Sequence, residues 1–353
     1  MSLNYSLTQL GWSALFSQQL ALDDLNTAYP ARVICVHRSH VDVLGECGRA
    51  RVIIPSHLFT SGGQVPVTVG DWVLIENAAL RVFRILERRS LIARMAAGSE
   101  PRQQLIAANV DTLLIVTSCN QDFNLSRLER YLAVARESDV EPVVVLTKVD
   151  LCNDGDRFVD AVRSVSASAQ VLALNATSGS SVQCLDPWLT SGQTLALAGS
   201  SGVGKSTLVN TWLGHHRQVT QEIREEDSRG RHTTTSRQMF RLPGGAWVID
   251  TPGMRELKVG AIDDGLRFTY MDITQLADRC RFRDCDHQNA SGCAVLAAVD
   301  AGLLDARRLD NYRKLQRESV RATRTLHEQR EIERRWGRIH RNAQRKRRKD
   351  RGR

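Results

Sequence analysis

The chain is predicted to fold as three parts: a small all-β barrel, a doubly wound α/β domain and a helical module stapled by a metal ion. Three observations predict this. Short β-rich runs separated by Gly-containing turns occupy 31–98, apolar runs alternating with helical stretches occupy 104–262, and four metal-ligand side chains crowd into fourteen residues of 263–320. A leading arm (1–30) and a closing basic segment (321–353) flank them.

At the start, "LTQLGWSALFSQQL" carries Leu7, Leu10, Leu15 and Phe16 near helical spacing and reads as a short amphipathic helix or arm. The next runs, "ARVICVHRSHVDVL", "RARVIIP", "VTVGDWVLIE" and "LRVFRILER", suit about five strands of a closed barrel. Such barrels often bind single-stranded nucleic acid, but a plain packing module fits this piece as well. Beyond it, "DTLLIVTS", "PVVVLTK", "QVLALNA", "TLALAG" and "AWVID" are short buried-type strands. Stretches such as "LSRLERYLAVARES" read as the helices between them.

Charge is concentrated at one end. The 353 residues carry a net +9, yet 321–353 hold fourteen Lys or Arg against four Asp or Glu, which leaves the first 320 residues at a net −1. A basic block of this kind suits phosphate backbones, and a solvated tail is the plainer alternative. No run approaches the roughly eighteen consecutive apolar residues of a membrane span. The first Lys or Arg is Arg32, so neither a secretory signal nor a transit peptide is expected and the location is read as cytoplasmic. No heptad seam signals assembly, and a monomer is expected.

Of the eight cysteines, Cys35, Cys47, Cys119, Cys152 and Cys184 are scattered, as reduced thiols in ordinary positions would be. The rest form "CRFRDCDHQNASGC", in which Cys280, Cys285, His287 and Cys293 follow C-x4-C-x-H-x5-C. Three thiolates and an imidazole complete a tetrahedral zinc shell and leave no place for water, so one structural Zn2+ is expected.

The α/β part carries the chemistry. "GSSGVGKST" runs from Gly199 through Ser200, Ser201, Gly202, Val203, Gly204, Lys205 and Ser206 to Thr207, between an apolar run and a helical stretch, and fits G-x-x-x-x-G-K-[ST]. Glycines let such a loop wrap until its N–H groups face phosphate oxygens. Lys205 would reach the β- and γ-phosphates, and the Ser206 hydroxyl would ligate Mg2+.

Base choice is read from Thr147, Lys148 and Asp150 in "LTKVD". A carboxylate at a strand end accepts both N1–H and N2–H of guanine, and adenine offers neither donor there. The usual motif begins with Asn, so Thr147 is a departure expected to weaken a supporting contact. In "NATSG", the Ala176 N–H would meet guanine O6. Asp250 in "DTPG" is placed to hold Mg2+ through water, and the Gly253 N–H to face the γ-phosphate. "SRGRHTTTSR" suits a switch segment in which Thr234, or failing it Thr233, binds Mg2+.

In chain order, the base-reading pieces precede the phosphate loop, which inverts the usual order. Joining the ordinary termini and opening new ones elsewhere rebuilds the same site, so the domain is read as circularly permuted. The residue after Gly253 is Met254, which cannot orient water as a glutamine would.

With its motif order, "GSSGVGKSTLVN", "GRHTTT", "DTPG", the cysteine cluster and the leading barrel, the sequence resembles the circularly permuted RsgA (YjeQ) family of small-ribosomal-subunit assembly GTPases. The resemblance covers roughly 31–316. It implies an OB-fold barrel, a GTPase core and a zinc domain, with partners the 30S subunit and 16S rRNA, GTPase activity stimulated by that subunit, and a role in late 30S maturation. It also points to His232 as the group orienting the attacking water. Two other classes stay open on residues alone. A phosphate-loop kinase or ATPase would prefer ATP, and a non-enzymatic RNA-binding protein would hydrolyse nothing even with ribosomes.

Overall fold

The computed structural model describes residues 4–37, 39–58, 67–95, 103–214, 238–250 and 260–323. His232, Thr233, Thr234, Gly253 and most of the basic segment lie outside the described residues.

Five antiparallel-paired strands form the first part: β1 (Ala28–Val36), β2 (His40–Gly45), β3 (Gly48–Ile53), β4 (Trp72–Glu76) and β5 (Val82–Ile85). The long β1 pairs with β4 through its first half (Ala28↔Glu76 to Arg32↔Trp72) and with β2 through its second (Arg32↔Leu44 to Val36↔Val41). β2 pairs with β3 and β4 with β5, and a parallel bridge between Ile53 and Arg81 closes the ring. Alternation fills it: Val33, Val41, Val43, Val52, Val73, Ile75 and Val82 all point into one buried cluster.

A hairpin of β6 (Leu91–Met95) and β7 (Gln103–Ala108) leads onward. Gln104, where the change of pattern begins the expected α/β domain, therefore lies inside a strand paired back to β6, and the parallel strands start at Thr112.

The parallel sheet contains β8 (Thr112–Ser118), β9 (Glu141–Thr147), β10 (Gln170–Ala173), β11 (Thr194–Ala198) and β13 (Trp247–Asp250), in the order β10-β9-β8-β11-β13. β12 (Gln238–Arg241) runs antiparallel beside β13, and a bridge between Cys35 and Gln238 joins it to β1, so barrel and sheet are continuous. Side chains divide by strict alternation. Leu113, Ile115, Val144, Leu146, Ala196 and Ala198 face one core, while Leu114, Val116, Val143, Val145, Leu195 and Leu197 face the other. Helices Leu125–Glu137 and Asp156–Val165 cover the first face through Leu128, Leu132, Phe158 and Val162. Helix Lys205–Leu213 covers the second through Leu208, Val209 and Leu213.

The arm is a clasp and not one helix. It forms a 3-10 turn (Thr8–Leu10) and two short helices (Ala14–Ser17, Leu22–Thr27). Leu10 and Phe16 are buried, but Leu15 is exposed, and Trp12 takes its expected place by packing edge-on against Trp72 of the barrel at 4.7 Å. At its other end Tyr5 packs on Trp247 of the sheet, whose indole N–H donates to the Gln9 carbonyl at 2.8 Å. Arm, barrel and sheet meet at Arg32, which is 1% exposed. Its guanidinium donates to the carbonyls of Leu10 (2.5 Å), Asn109 (3.1 Å) and Gly70 (3.4 Å). Burial pulls its pKa down to about 10, against the opposing field of Asp111, so it stays charged at neutral pH.

Helices Asp263–Thr269, Met271–Ala277, Ala294–Asp300 and a final helix over 306–323 make the last module. It docks on helix Leu125–Glu137, where Gly265 comes so close that a Cβ would stand 2.0 Å from the Ala133 carbonyl oxygen.

Replacing Arg32 by Met strands the buried carbonyls of Leu10 and Asn109 and leaves that of Gly70 only the Asn109 amide, so Arg32→Met is expected to lose about 3 kcal/mol of stability. Urea unfolding checks this; a midpoint equal to that of the parent would mean that the carbonyls find other partners.

Candidate nucleotide site and metal centre

Because β8, β9, β10, β11 and β13 are parallel, the loops that leave their carboxyl ends share one edge of the sheet. The chain runs from β8 to β9 to β10 on one side and then crosses to β11 on the other. A crevice therefore opens between β8 and β11, which is where open α/β sheets bind ligands.

The phosphate loop leaves β11 at this crevice. Gly199 has φ +136° and passes so close to β8 that a Cβ would stand 2.1 Å from the Val116 carbonyl oxygen, so only glycine fits. Gly204, at φ +101°, turns the chain into helix Lys205–Leu213. Ser201 and Gly202 face solvent, whereas Val203 is buried and anchors the loop. The Lys205 ammonium donates to the Gly199 carbonyl at 2.7 Å and to that of Ser200. Ser206, exposed, and Thr207 open the first helical turn, where backbone N–H groups lack intrahelical partners.

The base-reading pieces stand beside this loop. Thr147 ends β9 fully buried, and its hydroxyl lies 2.6 Å from the Val203 carbonyl and 3.2 Å from that of Thr117. The unusual threonine thus ties the base-reading strand to the phosphate loop directly. Lys148 follows at φ +59°, and this left-handed turn starts the 3-10 segment Val149–Leu151 that presents Asp150 to solvent. After β10, the Asn175 side-chain oxygen accepts from the Thr177 N–H at 2.9 Å and shapes the next loop. The Ala176 carbonyl accepts from the Thr211 hydroxyl at 2.6 Å, which fastens that loop to the phosphate-loop helix. Asp250 ends β13, one strand away from the phosphate loop. Arg127, which no sequence signal singles out, reaches the loop as well, its guanidinium donating to the Ser200 hydroxyl.

The second centre is the cysteine cluster. The ligand atoms of Cys280, Cys285, His287 and Cys293 all lie within 4.8 Å of one another. A tetrahedral zinc with Zn–S bonds of about 2.3 Å sets its sulfurs about 3.8 Å apart. Cys280 Sγ and Cys293 Sγ stand 3.8 Å apart, and His287 Nδ1 lies 3.7 and 3.5 Å from them. His287 adopts φ +56°, which turns its ring back toward the thiols. Burial lowers its pKa, with Arg313 acting in the same direction, and so favours the neutral imidazole that a metal requires. The set fits zinc. A second trio, His37, His40 and Asp42, also comes together, but Arg49 and Arg51 already bind both Asp42 oxygens at 2.8 Å, and two guanidiniums oppose a cation there.

A phosphate-loop motif and the candidate base-reading loops share one sheet edge, with the latter first in the chain, as in a circularly permuted phosphate-loop GTPase fold. Comparison with known proteins gives the family. The RsgA GTPase family model matches residues 85–260. The "Small ribosomal subunit biogenesis GTPase RsgA 2" of Vibrio vulnificus is 49% identical over 96% of this chain and 95% of its own length. YjeQ from Thermotoga maritima has a similar fold, with a TM-score of 0.60 at 24% identity over 83% of this chain and 99% of that one. YloQ, described as a circularly permuted GTPase, gives 0.56 at 23% identity over 83% of this chain and 95% of its own. The chain belongs to the RsgA GTPase family.

Two outcomes are expected. Thr147→Val leaves the buried Val203 carbonyl without its donor and weakens guanine-nucleotide binding about tenfold, measured by titration with a fluorescent GDP. The purified protein carries one zinc ion per chain by elemental analysis, and Cys285→Ser loses most of it; metal-free parent protein with the module still folded would count against the site.

Proposed function

We propose that this GTPase hydrolyses GTP on the 30S ribosomal subunit during the late maturation of that particle. The observation that carries the reading is the Thr147 to Val203 hydrogen bond: pieces that stand in inverted chain order are nevertheless bonded to each other, which supports reading them as one guanine-nucleotide site. The relatives' names supply the partner, since the Vibrio vulnificus protein is called a small ribosomal subunit biogenesis GTPase.

In this reading Asp150 accepts from guanine N1–H and N2–H, Lys148 lies along the base and the Ala176 N–H meets O6. The backbone of Gly199–Gly204 surrounds the phosphates, and Lys205 leaves the loop carbonyls for the β- and γ-oxygens. Ser206, Thr234 (or Thr233) and Asp250 would hold Mg2+, which would neutralise charge developing on the phosphates. The Gly253 N–H faces the γ-phosphate. His232 orients the water that attacks the γ-phosphorus while the bond to the β–γ bridging oxygen breaks. Subunit binding sets His232 against the attacking water, so turnover without subunits is slow.

The ring order β1-β2-β3-β5-β4, with a long β1 shared by two neighbours, supports reading the barrel as an OB-fold. Barrel and zinc module are the surfaces offered to 16S rRNA. Among the described residues no helix is long and apolar enough to cross a membrane. The protein acts as a cytoplasmic monomer that alternates between the particle and free solution.

The decisive measurement is GTP hydrolysis with and without purified 30S subunits, with 50S subunits and ATP as controls. Stimulation specific to GTP and 30S is expected, and His232→Ala should cut the stimulated rate about a hundredfold or more while nucleotide still binds. Equal rates with and without 30S would remove the ribosomal assignment and leave the nucleotide site standing.

A further inference from the structure

Arg127 stands at the third position of helix Leu125–Glu137, whose first turn is capped by the Asn124 side chain accepting from the Arg127 N–H at 2.9 Å. Its guanidinium reaches across the crevice between β8 and β11 and donates to the Ser200 hydroxyl. The carbonyl of the same serine is held by Lys205. Ser200 is thus gripped from two sides, by a lysine that must leave when phosphates arrive and by an arginine that need not.

An exposed arginine is ordinarily a mobile side chain. This one is mounted on a helix fixed along its other faces. Glu129, fully buried, accepts from Arg307 (3.1 and 3.2 Å), Arg308 (2.9 Å) and the Tyr270 hydroxyl (3.1 Å) of the last module. Burial, reinforced by Glu129, raises the Tyr270 pKa, so the phenol keeps the proton it donates. One turn away Arg130 grips Glu318 with two bonds (2.6 and 2.9 Å), and Glu137 accepts from the Gly265 N–H at 2.8 Å. Leu128 and Leu132 bury the inner face against the sheet. The backbone that carries Arg127 therefore has no freedom to follow the loop.

We propose that Arg127 is a positioning residue for the phosphate loop, acting through Ser200; the proposal rests on the nucleotide-site reading above. Gly199, Gly202 and Gly204 all have positive φ, in a loop whose glycines have little intrinsic preference for one shape. Once Lys205 transfers to the phosphates, the Arg127 contact still holds Ser200, and the loop enters the complex already shaped. Less ordering entropy is then lost on binding, so the contact acts on affinity and not on the chemical step. The same helix bears the last module, which makes the Arg127 anchor a fixed point shared by the nucleotide site and the zinc-bearing part.

The test separates a geometric pin from a general attraction of positive charge for phosphates. Affinity for a fluorescent N-methylanthraniloyl GDP and single-turnover hydrolysis at saturating GTP are measured for full-length parent, Arg127→Ala, Arg127→Lys, Ser200→Ala and the Arg127→Ala/Ser200→Ala double variant. Thermal melting confirms that each is folded. Arg127→Ala and Ser200→Ala are each expected to weaken binding about fivefold to tenfold, with the rate of Arg127→Ala at saturation changed less than about twofold. The double variant should bind no worse than either single one, because one contact is lost in all three. Arg127→Lys should restore only part of the loss, since an ammonium lacks the planar fork. A harmless Ser200→Ala with full rescue by lysine would overturn the pin in favour of charge alone, and unchanged affinity in every variant would overturn both. Lys205→Ala is the control for the underlying reading: if it binds nucleotide as the parent does, the nucleotide site itself is misassigned, whereas its loss of binding beside unaffected Arg127 and Ser200 variants refutes only the pin.

Discussion

A single buried guanidinium holds the halves of this molecule together. Arg32 sits on the strand that the barrel shares among its neighbours, and it donates to carbonyls from the arm, from the turn before β4 and from the connection into β8. A buried cation needs acceptors, and a chain turning sharply at Gly70 and Asn109 has carbonyls to spare. Each need answers the other. Asn109, at φ +54°, adds its own amide bond to the Gly70 carbonyl at 3.0 Å. Around this point Asp71 binds Arg88 and Asp111 binds Arg89, so opposite charges line the joint without contacting Arg32 themselves. Carbonyl partners fix position through direction, and carboxylates set the field that keeps the ion charged. The rest of the architecture hangs from that arrangement, because the bridge from β1 to β12 needs barrel and sheet in register.

Permutation changes which pieces are covalent neighbours. In the folded protein the phosphate loop is bonded to Thr147 before it in the chain, and the helix after it is bonded to Ala176. Those contacts replace peptide continuity as the means of holding the candidate base-reading and phosphate-binding parts at a fixed separation. The chain after Asp250 leads to the helices which dock on Leu125–Glu137, so that helix is contacted both by the phosphate loop and by the last module. A buried carboxylate met by two guanidiniums, an amide and a phenol makes this docking specific in orientation, since four donors must converge on one group.

Much of the fold and of the two centres was legible in the sequence because the information is local. Strand alternation, the glycine spacing of a phosphate loop and four side chains able to ligate a metal within fourteen residues are properties of short windows, and short-range sterics and coordination chemistry dictate what such windows can do. Even the inverted order could be read, since it is a relation among local motifs. The arm was misread in part for the same reason: periodicity selected Leu15, which is exposed, and passed over Trp12, whose partner Trp72 lies sixty residues away.

Tertiary structure alone decided the rest. Thr147 looked like a weakened form of a common motif, and only its placement 2.6 Å from a carbonyl 56 residues later makes it a tie. Arg127 was one arginine among many on a helix until the crossing from β10 to β11 brought a serine 73 residues away against it. Arg32 had no local reason to be buried; its acceptors come from three separate stretches of chain. A sequence window determines what a residue is able to do, through its donors, its charge and its allowed backbone angles. Which of those capacities is used depends on the partner that folding delivers, and that partner is set by strand order and close packing over distances no window spans.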